Sequence, residues 1–327
     1  MVPFHTKKRY MRAKLIFNPS SGIDSASPVQ LMDVIKEMQA WKLIPEVCLV
    51  GPSSCCDLKE VVQDAIAQGI QMFVVCGGDG TISSVASTLV GTNATLGIIP
   101  TGTQNNVALS LGIPKNIPAA IAILRKGRRI KIDVGMVVCN ENKTAFIEIC
   151  SVGLFSSLFP SSDEIQHGNL ARVGDFLATL ISSPPAEIHL LLDNKKEINK
   201  QGHVVLVSNM PYTGSNFQLG SEDSYKDGLL DVLFFADLSK IDLLGYVFKG
   251  GGIASEEDPR IQHFRVLRVD IETKPAMPVM ADGVALGEGP VSIEVLRSSL
   301  AVMVGSQEPK VLYEPKMSKK LGEIVEK

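Results

Sequence analysis

Residues 72–81 read Met-Phe-Val-Val-Cys-Gly-Gly-Asp-Gly-Thr, an unbroken apolar run that empties into a glycine-rich loop. Apolar residues without alternation predict a strand over Met72 to Cys76, buried on both faces. Beyond the loop, Ile82, Val85, Ala86 and Leu89 recur at helical spacing. Glycines at such a junction let backbone amides approach phosphate oxygens, and a helix N-terminus favours negative charge. A tight strand-to-helix turn selects the same residues, so the loop alone leaves both readings open. Asp79 is excluded by its charge as a phosphate ligand, which leaves holding Mg2+ or accepting a hydrogen bond. The run is neither G-x-G-x-x-G nor G-x-x-x-x-G-K-[ST], so it lends no support to a Rossmann dehydrogenase or a P-loop NTPase.

The same grammar extends on either side. Ala13 to Phe17 reads as a strand ending in the polar turn Asn18-Pro19-Ser20-Ser21-Gly22. Ser27-Pro28 then starts a helix with Leu31, Val34, Ile35 and Met38 on one face. Glu46 to Val50 reads as a strand, Asp57 opens a helix, and Thr95 to Ile99 reads as a strand entering Pro100-Thr101-Gly102-Thr103-Gln104-Asn105-Asn106. A further amphipathic helix carries Ile117, Ala120, Ile121 and Leu124. Strands alternating with helices predict right-handed βαβ units and a mainly parallel sheet. Ligands of such sheets bind beyond the carboxyl ends of the strands, so the three polar loops are expected on one rim.

From Val134 onward the pattern changes. Asp133 to Val138, Thr144 to Ser151, Glu187 to Leu192, His203 to Asn209, Leu229 to Ala236, Val266 to Glu272 and Val291 to Leu296 read as strands. Turn signals such as Lys226-Asp227-Gly228 and Asp282-Gly283 separate many of them. Helical stretches are expected only around Gly174 to Ile181 and Lys240 to Phe248. The fold class is therefore α/β, an N-terminal parallel-sheet domain followed by an antiparallel, sandwich-like domain. The expected boundaries are 1–133 and 134–304, with the tail 305–327 packing back on the first domain.

Bulk properties fit this division. A chain of 327 residues suits two domains, and 45% apolar with 20% charged residues is a globular balance. A net charge of −3 and a pI near 6.0 argue against nucleic acid as a partner. The six cysteines lack C-x-x-C spacing and read as reduced, structural thiols. Neither a secretory h-region nor about 18 continuous apolar residues occur, so a cytoplasmic location is expected, with any membrane contact peripheral.

Taken together, the Asn18, Gly77 and Pro100 runs at these intervals resemble the catalytic domain of the diacylglycerol kinase and sphingosine kinase superfamily. The likeness is closest to its soluble bacterial two-domain branch, the lipid kinases of the YegS and DgkB type. It extends from about Ala13 to Val304 and includes Leu96-Gly-Ile-Ile-Pro100, Leu111-Gly-Ile-Pro114, Asp227-Gly-Leu-Leu-Asp231 and Asp282-Gly283. The resemblance implies ATP in the cleft between the domains, with nucleotide contacts at Asn18, Ser21, Gly22, Gly77, Gly78, Asp79, Gly80, Thr81 and Thr103. It also implies a lipid substrate, a Mg2+ arriving with ATP, and a structural Mg2+ on Asp227 with carbonyls of Ser224 and Leu229. An Asp-Gly hairpin turn without metal is the competing reading of that last site.

Two departures stand out. Position 106 is Asn where the resembled family usually carries Asp, and Asp282-Gly283-Val284 stands where it usually reads Asp-Gly-Glu, with that Glu assigned as general base. Valine accepts no proton, and Glu288 lies outside the motif. Asp282 and Asp79 are therefore the expected catalytic residues, Asp282 orienting or deprotonating the substrate hydroxyl. A general base contributes roughly 10²–10⁴ in rate, while positioning and charge neutralisation carry most of phosphoryl transfer. An ATP-dependent lipid kinase is thus the leading expectation. A non-catalytic nucleotide or lipid sensor and an NAD kinase, which shares the Gly-Gly-Asp-Gly loop, are the alternatives.

Overall fold

The structure, a computed structural model, describes residues 10–22, 28–51, 57–153, 185–213, 217–238 and 260–306. The expected helices near 174–181 and 240–248, the Ser27 cap and the tail beyond 306 lie outside the described residues.

The first part runs β1 (Met11–Phe17), α1 (Pro28–Ala40), β2 (Leu43–Leu49), α2 (Leu58–Ala67), β3 (Met72–Gly77), α3 (Asp79–Leu89), β4 (Thr95–Pro100), α4 (Asn106–Ser110) and α5 (Ile117–Lys126). β1 pairs in parallel with both β2 and β3, and β3 pairs in parallel with β4. β3 and β4 are buried at every position, as their unbroken apolar runs require of strands covered on both faces. β2 lies at the sheet edge, where Pro45 is tolerated because an edge strand needs fewer amides. The Asp57 carboxylate accepts the Lys59 amide at 2.9 Å and caps α2, and Asn116 does the same for α5 through Ala119 at 3.0 Å.

The second part runs β5 (Arg128–Cys139), β6 (Asn142–Phe146), β7 (Ile149–Gly153), β8 (Ala186–Leu192), β9 (Lys196–Ser208), β10 (Tyr212–Thr213), β11 (Phe217–Gln218), β12 (Leu230–Ala236), β13 (Ile261–Val266), β14 (Arg268–Lys274), β15 (Pro278–Ala281), β16 (Val284–Glu288) and β17 (Val291–Val304). These strands pair antiparallel, apart from one parallel contact of β17 with β4. That contact, Ala301 beside Thr95 and Val302 beside Leu96, joins the antiparallel strands to the parallel ones.

β5 and β9 begin earlier than expected, at Arg128 and Lys196, and β15 and β16 are unexpected; three further expected strands are extended or divided for a local reason. Val291 to Leu296 continues to Val304 through an irregularity between Leu296 and Leu300, where Ser298 has a φ of 49°. The Ser298 amide is held by the buried Asp133 carboxylate at 2.7 Å. Thr144 to Ser151 divides into β6 and β7, because the amides of Ile147, Glu148 and Ile149 turn to the Asp282 carboxylate instead of a ladder. Val266 to Glu272 divides at Leu267, where Asp193 captures the amides of Leu267 and Arg268. Short-range sequence patterns carry no trace of a carboxylate arriving from 74 to 165 residues away.

Candidate active site

The three polar loops do meet. Asn18 receives its register from the Cys76 carbonyl, to which its amide donates at 3.0 Å. Its side-chain nitrogen donates to Thr81 Oγ1 at 3.0 Å, tying the first turn to the start of α3. The Ser21 and Thr101 hydroxyls lie 2.7 Å apart, and a Cβ on Gly22 would stand 2.5 Å from the Thr101 carbonyl oxygen. Gly22 also has a φ of 92°, so its glycine is required twice over. Gly78 and Gly102 face each other so closely that a Cβ on Gly102 would come within 2.5 Å of the Gly78 Cα. Gly77, Gly78 and Thr81 thus belong to one rim with Asn18, Ser21 and Gly22, while Gly80 and Thr103 follow in the same two loops without a contact of their own to the first turn. α3 begins there at Gly78 without a side-chain cap, the condition in which helix amides serve an anionic ligand.

Asp79 closes the rim on its inner side. Its Oδ2 accepts the Asn106 amide at 3.0 Å and its Oδ1 the Val107 amide at 3.1 Å. It therefore caps the short helix α4, whose own cap residue, Asn105, is left-handed with a φ of 59°. Burial raises the Asp79 carboxyl above its ordinary value, and the Val107 and Asn106 amides pull against that rise. Each oxygen keeps a lone pair beyond its amide bond, so the residue fits a Mg2+ carried by a nucleotide.

From Asp79 a chain of contacts crosses to the antiparallel strands. The Asn106 side chain donates to Glu148 Oε1 at 2.6 Å. The Glu148 amide in turn donates to Asp282 Oδ1 at 3.0 Å, flanked by the Ile149 amide on the same oxygen at 2.9 Å and the Ile147 amide on Oδ2 at 2.8 Å. Asp282, at the β15–β16 turn with a φ of 44°, has its carboxylate turned inward onto these amides. Desolvation raises its carboxyl above the ordinary range, opposed first by the Ile149 and Ile147 amides. This oxygen-by-oxygen engagement suits holding the Ile147–Ile149 backbone in place. Val284, two residues on, is 61% exposed.

Glu148 is the residue that sequence reasoning missed. Its one signal was an acidic residue inside the apolar run Phe146-Ile-Glu-Ile-Cys150, where an ionisable group has a cost unless it has a role. Both Glu148 and Asn106 are 8% exposed. The Glu148 carbonyl accepts the Asn209 amide at 3.0 Å, and Asn209 Nδ2 donates to the carbonyls of Asp133 and Ile147 at 3.0 and 2.9 Å. Ser208 Oγ donates to the same Glu148 carbonyl at 3.3 Å, so Ser208 and Asn209 brace the crossing.

The metal reading of Asp227 meets a different arrangement. Its Oδ2 is paired with the Arg265 guanidinium and its Oδ1 accepts the Leu229 amide at 2.9 Å. Ser224 opens a short 3-10 turn and is fully buried, and Gly228 has a φ of 79°. The Arg265 guanidinium pairs with this carboxylate, so a divalent cation there would have to displace it. Ser224, Asp227 and Leu229 form a turn closed by Arg265.

Comparison with known proteins agrees with this architecture. Residues 12–137 match the family described as diacylglycerol kinase catalytic domain, and residues 163–304 match the YegS C-terminal NAD kinase beta sandwich-like domain. Diacylglycerol kinase of Bacillus subtilis is 27% identical over 287 residues, 83% of this chain and 89% of that protein. Diacylglycerol kinase of Mycobacterium tuberculosis is 29% identical over 254 residues, covering 76% and 81% respectively. In structure, a diacylglycerol kinase from Bacillus anthracis superposes with a TM-score of 0.66 at 20% identity, over 91% of this chain and 98% of the other, which is a likeness of fold. The two matches follow one another along the sequence: this chain carries a domain of the diacylglycerol kinase catalytic-domain family at residues 12–137 and a YegS-type C-terminal domain at residues 163–304.

Proposed function

We propose that this protein transfers the γ-phosphate of ATP to a hydroxyl of a lipid or lipid-like alcohol. The observation that carries this reading is the convergence of Asn18, Ser21, Gly22, the Gly77–Thr81 loop and Thr101–Thr103 on one rim, in a chain that carries a domain of the diacylglycerol kinase catalytic-domain family. Close-packed glycines and the uncapped start of α3 offer amides to phosphate oxygens, and the Asn18–Thr81 bond fixes the spacing between two of the loops. When bound, Mg2+ neutralises charge on the β- and γ-phosphates, with Asp79 the carboxylate of the rim to hold it. Relatives named diacylglycerol kinase support a glycerolipid alcohol as acceptor. Among the described residues no helix is long and apolar enough to cross a membrane, so the acceptor is proposed to be taken from the bilayer surface.

The test is transfer of labelled γ-phosphate from ATP and Mg2+ to vesicles containing diacylglycerol, monoacylglycerol, phosphatidylglycerol or a sphingoid base, and to NAD. Label in a lipid that vanishes with Asp79→Ala supports the proposal. ATP binding without transfer to any acceptor would favour the sensor reading, for which Val284 and Asn106 are the motivating residues.

A further inference from the structure

The geometry points to Glu148 as the general base of this kinase, an inference that rests on the phosphoryl-transfer reading above. The two positions where a family carboxylate is expected hold Asn106 and Val284. Neither side chain takes up a proton at neutral pH. Asp282 keeps its carboxylate, but both of its oxygens are committed to the Ile147, Glu148 and Ile149 amides. The carboxylate missing from position 106 is supplied from across a 2.6 Å hydrogen bond, by Glu148 on the opposite wall. Asn106 therefore changes from an acid into the donor that orients one.

A second observation points to a ligand at the same place. Asn106 gives its amide nitrogen to Glu148, which leaves Oδ1 buried and without a hydrogen-bond partner among the described residues. Buried acceptors are rarely left without a partner, so a site that keeps one has a use for it. The Asn106 carboxamide places this acceptor within one functional group of the Glu148 carboxylate. An alcohol has one proton to give, so two acceptors side by side, Asn106 Oδ1 and the Glu148 carboxylate, suit a hydroxyl donor, and Glu148 is the one of the two that can take the proton.

The step balances as follows. The hydroxyl proton passes to a Glu148 oxygen while the alcohol oxygen forms its bond to the γ-phosphorus. The bond from that phosphorus to the β–γ bridging oxygen breaks, and ADP leaves with the electron pair. Glu148 then releases its proton to solvent. Among the described residues, Asp79 is linked to Glu148 through Asn106, Asp282 holds the Glu148 amide, and Cys150 lies two residues on along β7; both carboxylates are engaged by backbone amides.

The test compares wild type with Glu148→Gln, using full-length protein, Mg-ATP and vesicles of the lipid that accepts phosphate. Glutamine keeps an oxygen for the Asn106 donor, so fold and ATP binding are expected to persist. The expected result is a kcat at least about 100-fold lower, an unchanged KM for ATP, and loss of the acid limb of the pH–rate profile. A kcat within about threefold of wild type, or an acid limb that survives, would overturn the assignment while leaving the kinase reading intact. Absence of transfer by wild type itself would instead remove the reading on which the inference rests. Should Glu148→Gln fail to fold, the exchange Asn106→Asp with Glu148→Gln returns the carboxylate to the other side of the same bond. Transfer with an acid limb in that variant supports a base at this junction, and a folded, ATP-binding but inactive variant contradicts it.

Discussion

Gly78 and Gly102 meet with no side chain between them: a Cβ added to Gly102 would lie 2.5 Å from the Gly78 Cα and 3.1 Å from Asn105 Oδ1. The loop after β3 and the loop after β4 are thereby held as one surface. Gly102→Ala is expected to push them apart, with an overpacking cost of about 1–3 kcal/mol. Because the displaced atoms are those proposed to meet the phosphates, the Kd for ATP should rise about tenfold or more, measured by titration calorimetry. Gly80→Ala, where nothing lies within 4 Å of the added carbon, serves as the contrast and should change stability little.

Asp282 and Val284 should separate sharply under mutation, although they share one turn. Asp282→Ala leaves the amides of Ile147, Glu148 and Ile149 without their acceptor. Each buried donor so stranded costs about 1–3 kcal/mol, and a marked fall in Tm is expected together with loss of transfer. Val284→Glu sits on a 61% exposed position and should alter stability by no more than about 0.5 kcal/mol. Thermal denaturation of both variants checks the contrast. An unaltered Tm for Asp282→Ala would contradict the anchoring role.

Arg265 occupies the Asp227 carboxylate, and the dependence of stability on metal should follow from it. In the wild type, EDTA is expected to leave Tm unchanged in the absence of nucleotide. Arg265→Met frees a half-buried carboxylate beside the Ser224 turn, and Mg2+ should then raise Tm in a concentration-dependent manner. A wild-type Tm that falls on chelation would restore the metal reading of Ser224, Asp227 and Leu229.

Thiol chemistry gives an independent check on the core. Desolvation pushes the Cys76 thiol up to about 12, against a smaller opposing effect of Thr101, and drives Cys150 higher still. At pH 8 both are therefore protonated as well as buried, and a thiolate is the reactive species. Brief alkylation of native protein followed by peptide mass spectrometry should find Cys76 and Cys150 unmodified, and both should label fully in guanidinium chloride. Rapid native labelling of Cys76 would be inconsistent with β3 as a buried strand between β1 and β4.

Much of this fold was legible in the sequence because local chemistry wrote it. Unbroken apolar runs marked β3 and β4, helical spacing marked α1 to α3 and α5, and Asp57 announced its cap. Asn18, Gly22 and Gly78 were recognisable because each loop needs its polar or glycine residue at a fixed place. The illegible part is non-local. Asp193 and Asp282 break expected strands by capturing amides far along the chain, and the last residues of β17 return to β4 across a break at Ser298. Glu148 escaped notice for a related reason. Its meaning comes from Asn106, 42 residues away, and no motif contains them both. The acyl-chain contacts are unreadable for a third reason, since apolar linings carry no short signature.

The central claim, phosphoryl transfer to a lipid hydroxyl, is tested most directly by competition in one reaction. Labelled ATP and Mg2+ would be supplied together with diacylglycerol in phospholipid vesicles and with NAD in solution, and the products separated by phase. The expected result is label in the organic phase as a phosphorylated lipid, absent with Asp79→Ala. Label confined to the aqueous phase as phosphorylated NAD, or no transfer at all from protein that binds ATP, would contradict the account.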